Sequence, residues 1–353
     1  MPPLDMNMNM NMAFGSVPTA GRMLRPRFNS DVESRLATLV PPSGLVPPEM
    51  TGGPPNYPPF HKYWDADLQA CMYLDNFLAA LERDAVSEAV AAAAAVPGAT
   101  ATSVANAAAA AASSSWRTRY AAVAQDSGAN KPPQQMSQNE LGSDVLRILE
   151  LALEREDRFA EVLDQDDADG AINYWLGMLK IDPARHPATN LMVHVARRIG
   201  EHVVMCLKGD FASPRPSQLC QVITPMIDPP VTPSFPAGHA VQSYLISLLL
   251  AYSFADAAGT SKLPQTTLPA ANSSLATFLM FPPAGPLFQL AQRVSENRIV
   301  AGVHYPTDIH AGKIVAIQAF KDIQKVATIW GPMTAPATAL RDEVRKEFPQ
   351  YTS

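Results

Sequence analysis

From Asp67 onward the apolar positions recur every three or four residues, and no stretch alternates with period two. The first run, Asp67 to Ala94, places Leu68, Cys71, Met72, Leu74, Phe77, Leu78 and Leu81 on one helical face. An Ala- and Ser-rich tract follows, Ala91 to Ser115. Alanine favours helix, but Val96-Pro97-Gly98 interrupts the tract and leaves part of it as a surface lobe. Asp126 to Ser137, with Pro132-Pro133, reads as a polar loop. From Gln138 to Asp164, Leu141, Val145, Ile148, Leu149, Leu151, Leu153, Phe159 and Val162 stand among charges, which predicts one amphipathic helix. Ala171 to Ile181 and Pro187 to Leu207 predict two more, the second delivering Lys208 at its end. Past the proline-rich Pro214 to Pro236, helices are expected over Ala240 to Ala258, Pro286 to Val300, Thr307 to Trp330 and Ala337 to Phe348. The fold class is therefore all-α, a helical bundle with long loops.

Ahead of these helices, residues 1–60 carry an Asn-Met repeat and five Pro-Pro pairs. Such a segment buries too little apolar surface to offset its ordering entropy, so an extended or disordered arm is expected. The expected organisation is this arm (1–60), a helical portion with the Ala/Ser tract (61–137), and a catalytic helical domain (138–350).

At 353 residues and net charge −6, with no basic run, the chain has ample core and offers no nucleic-acid-binding surface. Cys71, Cys206 and Cys220 show no metal-ligand spacing and read as ordinary buried thiols. No basic region precedes an apolar stretch at the N-terminus, so no signal peptide is expected. The most apolar stretch, Ala240 to Ala255, is broken by Gln242, Ser243, Ser247 and Ser253 and falls short of the ~20 residues a membrane span needs. A buried helix is expected there, with no membrane insertion and a cytoplasmic location. The sequence leaves the oligomeric state open.

Three short segments carry the chemistry. Lys208 to Pro216 (KGDFASPRP) sets an ammonium seven residues before a guanidinium, with prolines on both sides of Arg215. A point charge and a planar fork grip an oxyanion in complementary ways. In Pro233 to His239 (PSFPAGH), Gly238-His239 opens a helix. Its unpaired N–H groups and positive dipole end favour an anion, and His239 stands where it can exchange a proton with one of the anion's oxygens. In Asn297 to Asp308 (NRIVAGVHYPTD), Pro306 fits the first helical position. That puts Asp308 one turn from His304, within reach of its second ring nitrogen, where a carboxylate fixes the tautomer. A histidine so oriented suits nucleophilic attack on phosphorus or axial ligation of a metal oxyanion.

Together these blocks resemble the superfamily of type 2 phosphatidic acid phosphatases and vanadium-dependent haloperoxidases. The shared pattern falls on Lys208, Arg215 and Pro216, on Pro236, Gly238 and His239, and on Arg298, His304 and Asp308, within Met192 to Gly312. The resemblance implies that Lys208, Arg215, Arg298 and the Gly238 N–H bind phosphate or vanadate. It likewise implies His304 as nucleophile or vanadium ligand, His239 as acid and Asp308 as partner of His304. Ala237 stands where the family usually has Ser, and Asn297 replaces the usual Ser before Arg298. The lost hydroxyl is worth ~1.5–3 kcal/mol toward a charged group.

The resulting expectation is a phosphomonoesterase of the acid-phosphatase type acting on a small phosphate ester through a phosphohistidine, with no cofactor or metal required. A vanadate-dependent haloperoxidase is the alternative, with vanadate as cofactor on His304. That branch typically supports halide oxidation with an aromatic ring or a histidine a few residues before the Gly-His. The nearby positions here are Thr232, Ser234 and Phe235, which leans toward hydrolysis, whereas the long N-terminal portion resembles the haloperoxidase branch. A degenerate phosphate-binding protein is the third reading. A polar insertion, Ser261 to Ser274, is expected as a loop near the mouth of the site.

Overall fold

The computed structural model describes residues 65–353 apart from 129, 167–169, 257–259, 332–338 and 352–353, and the expected arm over 1–60 lies outside them. Helix α1 spans Ala66–Ala94 and α2 spans Ala101–Ala124. Between them the chain turns through Gly98 at φ 83°, a conformation that favours glycine. Thr100 and Ser103 cap α2 reciprocally. The alanine-rich tract is therefore continuous helix once past the turn. Tyr120 of α2 is fully buried, and its hydroxyl donates to Asp322 Oδ2 at 2.8 Å.

Gln138–Leu151 forms α3, a 3-10 turn follows over Ala152–Glu154, and Arg155–Asp164 forms α4. The expected single helix over 138–164 is thus two. The tighter turn changes which face lies inward. Leu153 and Phe159, expected inside, are 86% and 51% exposed, whereas Arg158 is buried. Polar anchors on later parts of the chain account for this. Arg155 Nε donates to Val300 O at 2.8 Å, and Arg158 Nη1 donates to Asn297 Oδ1 at 3.1 Å.

The chain continues through α5 (Gly170–Met178), α6 (Pro187–Phe211), the short α7 (Pro216–Leu219) and α8 (Gly238–Ser253). It ends with α9 (Leu275–Met280), α10 (Pro286–Val300), α11 (Pro306–Ile323) and α12 (Leu340–Glu347). Isolated bridges Ala255–Ser261 and Thr267–Ala284 are the β-pairings among the described residues. The fold is an all-α bundle, and among the described residues no helix is long and apolar enough to cross a membrane.

Every residue of α8 is buried, because α6, α10 and α11 pack around it. That explains an uncharged helix whose polar side chains nevertheless find partners. Ser247 Oγ accepts from Trp175 Nε1 at 2.9 Å and donates to Leu287 O at 2.8 Å. Ser253 Oγ donates to Leu249 O at 2.7 Å. Helix α11 reaches the start of α8 at Gly312, where a Cβ would stand 2.7 Å from Ala240 Cβ and 2.8 Å from Ala237 O. This close approach brings the first turn of α11 beside the first turn of α8.

A buried charge cluster ties α1 to α6. Asp67 pairs with Arg197 and Arg198, and Arg198 Nη1 lies 3.2 Å from Glu201. Burial alone would raise the Asp67 carboxyl, but hydrogen bonding from His194 and the two guanidinium charges hold it well below the usual carboxylate range.

Two further expectations change. The insertion over 261–274 does not border the site. Tyr252 OH, near the C-terminus of α8, donates to Pro269 O at 2.7 Å, and Lys321 Nζ, near the C-terminus of α11, donates to Ser273 O. Residue 252 is about 20 Å along α8 from its first turn. The cysteines are free but half-buried rather than buried.

Candidate active site

Three chain reversals build one cavity. Lys208 lies in the last turn of α6, which closes at Ala212 in the left-handed conformation with its N–H on Lys208 O at 2.9 Å. Arg215 caps α7, and Ala237 caps α8, whose first residues are Gly238 and His239. Arg298 lies in the last turn of α10. His304 precedes α11, and Asp308 lies in the first turn of that helix. A cavity of about 310 Å³, part of it open to solvent, is lined by Lys208, Arg215, Gly238, His239, Arg298 and His304. Its walls include Thr232, Ile227, Pro230 and Val303, with Asp166 at one side. Of the expected site residues, Asp308 alone does not line it. It stands behind His304 at 0% exposure.

The hydrogen bonds fix the tautomer of His304. Arg215 Nη1 lies 3.0 Å from His304 Nε2, and a guanidinium can only donate. Nε2 therefore carries the lone pair, and the proton sits on Nδ1, 3.0 Å from Asp308 Oδ2. Asp308 Oδ2 also accepts from Tyr305 N at 2.9 Å and from Ser234 Oγ at 2.5 Å. Arg215 is itself held by Thr232 O at 2.9 Å, Thr232 Oγ1 at 3.2 Å and Val303 O at 2.8 Å. Lys208 Nζ donates to the carbonyls of Pro233 and Ser234.

Burial shapes the charges. It draws Arg215 and Arg298 down to about 10, so both remain cationic at neutral pH. Burial and the neighbouring Arg215 push Lys208 well below its ordinary value. Burial and the Arg298 charge lower His239 to about 3. Burial, Arg215 and Lys208 hold His304 well below the usual imidazole range. Burial raises Asp308 to about 6, against hydrogen bonds that favour its ionised form. Two neutral imidazoles thus face a cluster of cations, an arrangement that accepts an anion and favours proton uptake once the anion binds. Arg298 Nε has no hydrogen-bond partner among the described residues and is fully buried, as expected of a donor set built for an oxyanion.

Sequence reasoning missed one neighbour of the site. The turn after α4 places Gln165 O 3.0 Å from His239 Nε2 and Asp166 Oδ1 3.3 Å from Arg298 Nη1. The acidic run around residue 166 looks like a solvated helix end, and nothing in its composition marks it as part of a pocket. Asn297 organises this turn. Its Nδ2 donates to Glu161 Oε2 and Gln165 Oε1, both at 2.9 Å.

Part of the chain that carries these residues is similar to known proteins. Residues 190–321, from α6 through most of α11, match the family model described as the PAP2 superfamily. Among solved structures the chain resembles the crystal structure of the first bacterial vanadium-dependent iodoperoxidase. The identity is 14% and the TM-score 0.41, over 56% of this chain and 52% of that one. The chain thus spans about half the length of that structure. No curated protein matches the chain.

Proposed function

We propose that the protein is a phosphohydrolase acting on small phosphate monoesters through a phosphohistidine on His304. The observation that carries this reading is the lone pair of His304 Nε2, directed by Arg215 and Asp308 toward the cationic cradle. In this scheme Lys208, Arg215, Arg298 and the Gly238 N–H hold the phosphoryl oxygens and neutralise the charge that spreads over them in the transition state. His304 Nε2 attacks phosphorus as the ester P–O bond breaks opposite. His239, protonated once the anion is bound, gives its proton to the leaving oxygen. Water then attacks phosphorus, breaks the P–N bond and releases phosphate. Gln165 O, accepting from His239 Nε2, favours the imidazolium form. Asp308 balances the positive charge that develops on His304.

The same donors also fit vanadate. Lys208, Arg215, Arg298 and Gly238 would hold its oxygens and His304 Nε2 its vanadium, and when bound the group supplies Lewis-acid activation of peroxide for halide oxidation. The wall chemistry supports hydrolysis over this second reading. Among the described residues lining the cavity there is no Phe, Tyr or Trp. Phe235 packs edge-on against Phe211 with centroids 4.9 Å apart, and the side chain of Thr232 is committed to Arg215.

Two assays on the purified protein separate the readings, hydrolysis of p-nitrophenyl phosphate and bromination of a dione with peroxide, bromide and added vanadate. Turnover in the first supports the proposal. Turnover in the second alone replaces it with the peroxidase. Tight phosphate binding without turnover in either assigns a degenerate binding site.

A further inference from the structure

Ser234 lies three residues before the position where the chain lacks the family hydroxyl, and its own hydroxyl points elsewhere. We propose that Ser234 is a positioning residue for His304, its hydroxyl clamping the Asp308 carboxylate that orients the imidazole. The inference rests on the reading of His304 as the nucleophile.

Ser234 is fully buried, and its backbone is pinned on both sides. Its N–H donates to Ser213 O at 2.9 Å, and its carbonyl accepts from Lys208 Nζ at 3.2 Å. From that fixed base Oγ donates to Asp308 Oδ2 at 2.5 Å and stands 3.5 Å from His304 Nδ1. Asp308 Oδ1 has no hydrogen-bond partner among the described residues. All the anchoring of the carboxylate therefore falls on Oδ2, shared by Ser234 Oγ, His304 Nδ1 and Tyr305 N. With the serine donor removed, the carboxylate can rotate about Cβ–Cγ and present either oxygen to His304. The imidazole then loses its single orientation. The Ser234 side chain does not line the cavity, and the residue's contact with Lys208 is made by its backbone carbonyl, which a side-chain substitution keeps. Its effect should fall on turnover and spare substrate binding.

The test compares wild type, Ser234→Ala, Ser234→Cys and His304→Ala on p-nitrophenyl phosphate, with the His304 Nδ1–H proton followed by NMR. Cysteine nearly keeps the volume of serine but is a weak donor, so it decides the matter if the alanine variant does not fold. Losing a hydrogen bond to a charged group is expected to lower kcat about tenfold or more in both Ser234 variants, with KM within about twofold of wild type. The Nδ1–H resonance is expected to shift or broaden in both, whether or not the substrate is turned over. Wild-type kcat with an unmoved resonance in the cysteine variant overturns the proposal, as does a loss confined to KM. If His304→Ala itself retains wild-type turnover, the nucleophile reading fails and takes this inference with it. If His304→Ala is inactive and the Ser234 variants match wild type, this inference alone fails.

Discussion

Filling the cavity with a dianion should draw a proton into the protein. In the anion-free site His239 is held at about 3 by burial and the charge of Arg298. Protonating such a group near pH 7 costs four pH units of free energy, about 5 kcal/mol. An anion in the cavity reverses the balance. Two unit charges about 4 Å apart attract by about 4 kcal/mol at an effective dielectric of ~20, so a dianion contributes about 8 kcal/mol. The attraction exceeds the cost, and His239 should be protonated in the complex. Molybdate is a suitable probe because it is fully ionised near pH 7 and resembles phosphate in shape. Calorimetric titration in buffers of different ionisation enthalpy reads the protons taken up per anion bound. About one is expected for wild type and close to none for His239→Gln. No uptake by wild type, or undiminished uptake by the variant, would refute the reasoning, since the proton would then have no role at His239.

Other consequences concern stability and the departures from the family pattern. Replacing Asp67 with Ala strands Arg197 and Arg198 in a buried place, and chemical denaturation should show a loss of about 3–5 kcal/mol; a loss under ~1 kcal/mol would mean the cluster does not hold α1 to α6. Because the folded His239 binds its proton far more weakly than the unfolded one, its contribution is fully present above about pH 6.5. It should be lost by about 1.4 kcal/mol per unit as pH falls toward 3. Asp308, raised to about 6, runs the other way between about 3.8 and 6. Comparing anion-free wild type with His239→Gln by thermal melts isolates the histidine part, and the variant should lose less stability on acidification. Restoring the family hydroxyl with Ala237→Ser should leave p-nitrophenyl phosphate turnover unchanged or higher, and a tenfold loss would show that the cavity had adapted to alanine.

The parts of this molecule that could be read from its sequence are those fixed by local rules. Helical periodicity located α1, α6, α8 and α10 to within about five residues, and Pro306 correctly marked the start of α11, although that helix ends at Ile323 rather than Trp330. The spacing of His304 and Asp308 placed their side chains in contact because four residues make one helical turn. What periodicity could not show was set by distant polar partners. The break between α3 and α4 contains no glycine or proline. It accompanies Arg155 and Arg158 reaching the end of α10, contacts that offset the exposure of Leu153 and Phe159. The turn at Gln165 and Asp166 meets His239 and Arg298 through contacts more than seventy residues apart in sequence. The insertion over 261–274 was misplaced for a related reason, since composition marks a loop without saying at which end of a helix it lies.

Quenching the protein during incubation with p-nitrophenyl phosphate and mapping acid-labile phosphate by mass spectrometry addresses the proposed nucleophile most directly. Phosphate carried on the imidazole of His304 when substrate is present, and absent when substrate is omitted, is the outcome the account predicts. Hydrolysis at the wild-type rate by His304→Ala, or phosphate trapped on His239 instead, would contradict it.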